Sequence, residues 1–245
     1  MASVLGIVGI IFVSVAMSCG VAIFVKTPSL SPVKSRLWPG LGRRCSEALY
    51  LLSAESVASV AQSAQQRADV QPYWAVAEAA AMHSDAWVDL PHLAQGRGSL
   101  GERMAQVYRM LRERHRGAIL IGADAPQLLP EALQRAADWL ASDESRLVIG
   151  RARDGGFWLF GGNVALPDRA WLSIPYSTPD TGDRFVAAMH GYGRWLQLET
   201  LRDIDTATDL PDVHAHLAQL SARTGAQQRL LDWLDALPAA MGQCT

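Results

Sequence analysis

The chain has 245 residues, of which 49% are hydrophobic and 19% charged, and its formal net charge is −2. This composition excludes a disordered chain, and so small a net charge gives no general reason to bind nucleic acid or a membrane surface. The length suits one domain with a full core. Because the three cysteines (Cys19, Cys45 and Cys244) are odd in number and widely spaced, we expect no disulfide framework and a reducing compartment, the cytoplasm.

The N-terminus is strongly apolar, with no charged residue between positions 2 and 25. Its length matches a membrane span, but no Lys or Arg precedes it as in a signal peptide. Residues 20–26 also have the pattern of a buried β-strand, and a strand there leaves too few upstream residues for a span and a linker. We therefore expect residues 1–19 to be an extension outside the domain; the alternative is a weak membrane anchor.

Strands and helices alternate along the rest of the chain. Ser99 and Glu102 form a capping-box pattern that predicts the start of a helix, and the wholly apolar run at residues 117–122 is typical of a central parallel strand. The predicted fold is a single α/β domain over residues 20–225, a mainly parallel open sheet flanked by helices, with a C-terminal helical tail at 226–245. The predicted strands are 20–26, 73–79, 117–122, 147–150, 157–160 and 194–198, and the predicted helices are 43–66, 100–115, 130–140, 181–190 and 208–221.

Basic residues follow the first predicted strand. In open α/β sheets ligands bind outside the carboxyl ends of the strands, so this loop is a candidate site. Lys26, Lys34 and Arg36, together with Ser35, suit phosphate binding, because Arg pairs bidentately with phosphate oxygens and Lys acts as a point charge. The spacing of a Walker A loop is absent. The alternative is a solvated basic loop.

Asp124 follows the central strand closely, two residues after Gly122. Burying an unpaired carboxylate is costly, so Asp124 should contact a cation, a helix N-terminus or water. We expect it to be a catalytic residue that binds Mg²⁺ or Mn²⁺, which keep waters and share phosphate oxygens, with Gly122 near the nucleotide. The alternative is a turn or cap before Pro126.

Two later segments complete the candidate site. Asp154 is a catalytic candidate, and Gly155 and Gly156 would let the backbone approach a sugar or base closely, although paired glycines also suit a hairpin turn. Asp205 is a candidate second metal ligand. The alternative there is that Thr206, or the nearby Thr208, caps the next helix.

Five segments, in order, resemble the GT-A-like family of radical-SAM/selenodomain-associated transferases, distant relatives of molybdenum-cofactor and phospholactate guanylyltransferases. The resemblance runs over about residues 20–220. It implies a nucleotide-diphospho-sugar transferase fold, with Lys26, Lys34 and Arg36 on phosphates and Asp124 at the metal position. Ala123 and Ala125 replace the small polar residues usual beside the aspartate. The segments are residues 24–28 with 33–37, 95–104, 121–128, 154–157 and 203–206.

We expect a transferase that uses a divalent metal and moves a glycosyl group from a nucleotide sugar to an acceptor that the sequence does not identify. One alternative is a nucleotidyltransferase of guanylyl or cytidylyl type that releases pyrophosphate, where Asp205 would serve as the second metal carboxylate. Another is a catalytically degenerate nucleotide-binding module, suggested by Ala123 and Ala125. A membrane-tethered scaffold rests on the apolar N-terminus alone, and no nucleic-acid partner is expected.

Overall fold

A computed structural model of the protein describes residues 18–240. Within this range seven strands form one sheet in the order β3-β2-β1-β4-β6-β5-β7. Neighbouring strands are parallel except at β6, which runs antiparallel to both β4 and β5. The strands are β1 (Cys19–Val25), β2 (Val70–Val76), β3 (His92–Ala94), β4 (Gly117–Gly122), β5 (Arg146–Ala152), β6 (Phe157–Gly162) and β7 (Arg194–Leu201).

The strand order creates a crevice beside β1. The chain first builds β2 and β3 on one side of β1 and then returns to place β4 on the other side. The strand order therefore reverses between β1 and β4, whose carboxyl ends lie side by side at one edge of the sheet. Such a switch point is where open α/β sheets bind ligands.

The described residues form eight α-helices, of which α2 and α4 pack on one face of the sheet and α3, α5 and α6 pack on the other. Buried side chains alternate between the faces, because successive residues of a strand point in opposite directions. Ile23 and Ile119 pack in the cluster that contains α2 and α4, whereas Ala22 and Leu120 pack in the cluster that contains α3 and α6. The helices are α1 (Trp38–Leu41), α2 (Arg43–Gln65), α3 (Leu100–Arg114), α4 (Pro130–Leu140), α5 (Asp168–Leu172), α6 (Thr181–Met189), α7 (Leu210–Gln219) and α8 (Gly225–Ala240).

The predicted capping box at the start of α3 is present. The Ser99 side chain accepts a hydrogen bond from the Glu102 backbone N–H at 3.3 Å, and the Glu102 carboxylate accepts one from the Ser99 N–H at 2.7 Å. Two backbone donors at the helix start are thus satisfied locally. This fixes the direction in which α3 leaves the sheet edge.

The predicted single α/β domain with a mainly parallel sheet is confirmed. The short strand β3 was not predicted, and neither was the antiparallel direction of β6. The helix expected as a C-terminal tail is α8, and its Leu230 and Leu234 pack with Leu49 of α2 in a third core cluster. Of the predicted extension at residues 1–19, residues 1–17 lie outside the described residues. Cys19, which the prediction placed in the extension, is the first residue of β1.

One cysteine prediction is wrong. Cys45 is disulfide-bonded, whereas Cys19 is a free and buried thiol. The spacing of cysteines along the chain does not predict this bond, and a disulfide-bonded Cys45 does not support a reducing compartment. Separately, none of the helices between residues 18 and 240 combines the length and apolar character that crossing a membrane requires.

Candidate nucleotide site

A cavity of about 610 Å³ opens at the carboxyl edge of β1 and β4, in the crevice beside β1. Its wall combines the loop after β1, the end of β4, the β5–β6 turn and the first turn of α3. The segment after β7 and the loop before α6 complete it. Of the predicted site residues, the wall contains Lys26, Lys34, Ser35, Arg36, Gly122, Asp124, Asp154, Gly156 and Asp205.

Lys34 is the direct partner of Asp124. Its Nζ lies 2.9 Å from Asp124 Oδ1 and 3.5 Å from Asp205 Oδ1, and it donates a hydrogen bond to the Ile204 carbonyl. Only 6% of the Lys34 side chain is exposed. Asp124 is therefore neither a helix cap nor free in solvent, because a buried ammonium neutralises it.

The backbone of Lys34 is unusual. Its φ of 48° lies in the left-handed region, where a residue other than Gly is uncommon. A one-turn helix, Ser35–Leu37, follows directly. Such a conformation persists when the surroundings hold it, and the contacts of the ammonium with Asp124 and Asp205 supply that hold.

The charge state of Lys34 follows from its partners. Burial by itself would lower the pKa of Lys34, but the carboxylates of Asp124, Asp205 and Asp203 outweigh it, so the pKa is raised. Lys34 is therefore fully charged near neutral pH. Its positive charge already has partners within the protein.

Asp203 is a site residue that the sequence reasoning did not select. Its Oδ1 is buried without a hydrogen-bond partner in the described part of the chain. Burial first, and then the carboxylates of Asp124 and Asp154, raise the pKa of Asp203 to about 8, against the lowering effect of Lys34. A signal existed, because Asp203 follows the end of β7 as directly as Asp124 follows β4.

The carboxylates suit a hard divalent cation without forming a finished cage. Across residues 18–240, no three His, Cys, Asp or Glu side chains are grouped as a ready-made set of metal ligands. The carboxylates of Asp124 and Asp205 share one buried cation, Lys34, Asp205 also lies near the exposed Arg36, and the buried Asp203 Oδ1 lacks a hydrogen-bond partner in the described part of the chain. This arrangement fits Mg²⁺ or Mn²⁺ held by one or two carboxylates, since these ions usually keep several waters.

The three predicted site residues of the β5–β6 turn, Asp154, Gly155 and Gly156, do not all line the cavity. Asp154 and Gly156 line the cavity, and Asp154 Oδ1 accepts a hydrogen bond from the Gly156 N–H at 2.8 Å. Gly155 lies against the loop before α6: a Cβ on it would stand 1.7 Å from the Pro179 carbonyl oxygen, and its φ is 91°. The chain needs glycine at 155 for that contact.

Cations of the β1 loop lie at the cavity as predicted. Arg36 is at its mouth, with 70% of its side chain exposed, and its NH1 is 3.4 Å from Asp205 Oδ2. Lys26 lines the cavity, is exposed, and donates its backbone N–H to the Tyr50 hydroxyl. Their role towards phosphate stays a prediction.

Thr206 forms the cap that was the alternative interpretation of this segment, at the start of the one-turn helix Ala207–Asp209. Its side chain and that of Asp209 make a reciprocal capping box, and Asp209 Oδ2 also accepts the backbone N–H of Asp205 at 3.1 Å. These hydrogen bonds to Asp209 hold the loop after β7 in place. Asp205 keeps its side chain at the cavity.

Gln95 and Arg103 were quoted only as part of a resembling segment, and the structure brings them to the cavity wall. The buried Gln95 amide donates to the carbonyls of Val25 and Ala75 at 3.1 and 2.8 Å. Its oxygen accepts a hydrogen bond from Arg103 NH1 at 3.0 Å. These contacts link α3 to the carboxyl ends of β1 and β2.

Comparisons with known proteins agree with this fold. Residues 57–178 match the model of a family described as "Uncharacterized protein conserved in bacteria (DUF2064)". A protein from Desulfovibrio desulfuricans G20, described as a "putative nucleotide-diphospho-sugar transferase", is 25% identical, with a TM-score of 0.76, and 93% of this chain and 99% of that one are covered. No curated protein sequence matches the chain significantly.

Two further solved structures share the fold at lower identity. A nucleotidyl transferase from Methanothermobacter is 15% identical, with a TM-score of 0.55, and 83% of this chain and 99% of that one are covered. A CMP:2-keto-3-deoxy-manno-octonic acid synthetase complexed with CTP is 13% identical, with a TM-score of 0.51 and coverage of 82% and 99%. The predicted nucleotide-diphospho-sugar transferase fold and the resemblance that suggested it are confirmed.

Proposed function

We propose that the protein is a metal-dependent glycosyltransferase that binds a nucleotide sugar in the cavity beside β1. The observation that carries this proposal is the meeting of basic and acidic side chains at the switch point of the sheet. Lys26, Lys34 and Arg36 reach it from the β1 loop, and Asp124 and Asp205 reach it from β4 and β7. A diphosphate bridged to a divalent metal requires that combination of charges.

Each group has a distinct role in the proposal. Lys26, Ser35 and Arg36 bind phosphate oxygens, and Gly122 and Gly156 let the ligand approach the backbone. Asp124 and Asp205 would hold Mg²⁺ or Mn²⁺, which supplies charge stabilisation for a departing phosphate.

Asp154 lies on the exposed rim of the cavity and is our candidate for binding the acceptor or accepting its proton. A catalytic base must reach the proton that it removes. A position on the rim is compatible with an acceptor that enters from solvent.

In the proposal Lys34 has one role in the ligand-free site and another in the site with metal and nucleotide bound. Without ligand its ammonium neutralises Asp124 and contacts Asp205. A metal on those carboxylates would take over this neutralisation, and the ammonium would then be available to a phosphate. The raised pKa keeps Lys34 charged in either role.

Glycosyl transfer is our first choice, in line with the similar protein from Desulfovibrio desulfuricans, whose description places it among the nucleotide-diphospho-sugar transferases. Nucleotidyl transfer is the second candidate. It is favoured by the closeness of Asp205 to Asp124 across one ammonium, because a second carboxylate helps to hold the metal ions of a triphosphate. The similar nucleotidyl transferase from Methanothermobacter and the similar synthetase complexed with CTP point the same way.

The products of turnover separate these functions. The protein is incubated with UDP-, GDP- and ADP-sugars and with CTP and GTP, each with Mn²⁺ or Mg²⁺ and a panel of acceptors, and products are identified by mass spectrometry. A nucleoside diphosphate released from a nucleotide sugar together with a glycosylated acceptor indicates glycosyl transfer, and pyrophosphate released from a triphosphate together with a nucleotidylated acceptor indicates nucleotidyl transfer. Binding without any turnover indicates the degenerate module, and would contradict the proposed activity.

A further inference from the structure

Arg103 is a cation at the cavity wall that lacks an acidic partner. Between residues 18 and 240 no carboxylate forms an ion pair with its guanidinium, and its Nε is buried without a hydrogen-bond partner. Of the other cavity cations, Lys34 is paired with Asp124, Arg36 lies near Asp205, and Lys26 is exposed to solvent. A partly buried charge without a counterion is costly, so an anion supplied from outside the described residues would lower the free energy of this site.

Gln95 holds Arg103 without neutralising it. The Gln95 side chain is 2% exposed, and its NH₂ group bonds two backbone carbonyls, which leaves only its oxygen for Arg103 NH1. An amide fixes the guanidinium and keeps its full positive charge, whereas a carboxylate at the same place would cancel it. The remaining donors of a guanidinium held in this way suit the two oxygens of a phosphate or carboxylate.

The position of Arg103 separates it from the acidic groups. Arg103 is anchored on the side of the cavity that β1, β2 and β3 form. Asp124 follows β4, and Asp203 and Asp205 follow β7. Leu100 and Met104 of the same helix also line the wall. The cavity thus has an acidic side and a separate cationic point set among apolar groups.

We propose that Arg103 binds an anionic group of a substrate, a phosphate or a carboxylate, and that Gln95 positions it for this contact. The inference rests on the proposed function in assuming that the cavity is the substrate site. Two sources supply that chemistry: the phosphates of the nucleotide, or an acidic group on the second substrate. Arg103 belongs to α3 and therefore lies outside the β1 loop, from which the sequence analysis took its phosphate-binding candidates.

Calorimetric binding to wild type, Arg103→Met and Arg103→Lys tests the proposal. The control is Arg109→Met, because Arg109 is on the same helix, exposed, and paired with Asp168 at 2.6 Å. The nucleotide arm uses inorganic pyrophosphate, CTP and GTP, with cytidine and guanosine as neutral controls. The second-substrate arm uses gluconate and glucose 6-phosphate, with glucose as the neutral control, at a saturating concentration of whichever nucleotide binds, or without nucleotide if none does.

We expect Arg103→Met to weaken binding of anionic probes in one arm by roughly tenfold or more, with neutral probes unaffected. Arg103→Lys should recover part of the loss, and Arg109→Met should match wild type. The arm in which the loss occurs identifies the source of the anion. Circular dichroism and thermal unfolding confirm that each variant is folded.

The inference is overturned if folded Arg103→Met binds every probe of both arms as wild type does, or if wild type binds no anionic probe. Failure of the proposed function gives a different pattern. In that case wild type binds no nucleotide, while pyrophosphate or glucose 6-phosphate still binds in a manner that depends on Arg103.

Discussion

Asp203 is the carboxyl group whose environment departs most clearly from that of an exposed aspartate. Its folded pKa of about 8 exceeds the usual 3.8 because burial and two nearby carboxylates oppose its charge. Between these values the unfolded chain has lost the proton that the folded protein still holds. Stability therefore falls as pH rises through this window, and the full penalty is present above the folded pKa.

Asp203→Asn should remove this dependence. We expect the variant to be more stable than wild type at about pH 8, with the advantage shrinking towards about pH 4, since each pKa unit corresponds to about 1.4 kcal/mol. Thermal unfolding in buffers with a chelator measures it. Asp138→Asn, at an exposed position on α4, is the control. A constant difference between Asp203→Asn and wild type at all pH values would contradict the assignment.

Lys34→Met tests the ammonium as the internal counterion of the site. Removing it leaves Asp124 and Asp205 without their shared cation, so we expect a loss of about 1–3 kcal/mol in the free energy of unfolding. Mg²⁺ should raise the melting temperature of this variant more than that of wild type, because a cation can replace the ammonium. Lys26→Met is the control, since Lys26 is exposed. Unchanged stability of Lys34→Met would show that the pair contributes nothing.

At the scale of elements, the β5–β6 turn depends on a glycine. A Cβ at Gly155 meets the Pro179 carbonyl oxygen, and the positive φ adds backbone strain. Gly155→Ala should cost at least about 2 kcal/mol of stability and displace the loop before α6, which lines the cavity.

Gly191→Ala is the matched control, because a Cβ there has no heavy atom within 4 Å. Chemical denaturation of both variants gives the comparison. Equal stability of the two would mean that the turn tolerates a side chain at position 155, and the close contact with Pro179 would then not explain the glycine.

The elements that sequence predicted best are those with local signals. The capping box at Ser99 fixed the start of α3, and the apolar run at residues 117–122 has the bounds of β4. The three-residue strand β3 escaped because so short a segment carries no periodic pattern. The antiparallel pairing of β6 with β5 has a local signal, the short connection that also suits a hairpin turn, but the pairing of β6 with β4 joins distant parts of the chain and has none.

At the scale of the whole molecule, the fold explains why a rule about strand ends found much of the candidate site. Residues after β1, β4 and β7 converge at one edge of the sheet, and Asp124, Lys34 and Asp205 meet there. The rule could not show that Lys34 pairs with Asp124, which depends on three-dimensional contact. It also missed Arg103, which a helix supplies, and Gln95, which acts by holding another side chain.

Nucleotide binding should stabilise the entire domain, because a ligand that binds only the folded state adds its binding free energy to stability. A nucleotide at 100 times its dissociation constant adds about 2.7 kcal/mol. Thermal unfolding with and without nucleotide and Mn²⁺ therefore screens the donors rapidly. A melting temperature that no nucleotide changes would argue against the cavity as a nucleotide site.

The most direct test of the central claim is calorimetric titration of wild type and Asp124→Asn with nucleotide sugars and nucleoside triphosphates, with and without Mn²⁺, and with Asp138→Asn as the control. We expect wild type to bind at least one nucleotide more tightly when Mn²⁺ is present. Asp124→Asn should lose that enhancement, by roughly tenfold or more, while remaining folded. The claim is contradicted if folded wild type binds no nucleotide, or if Asp124→Asn keeps the full metal enhancement.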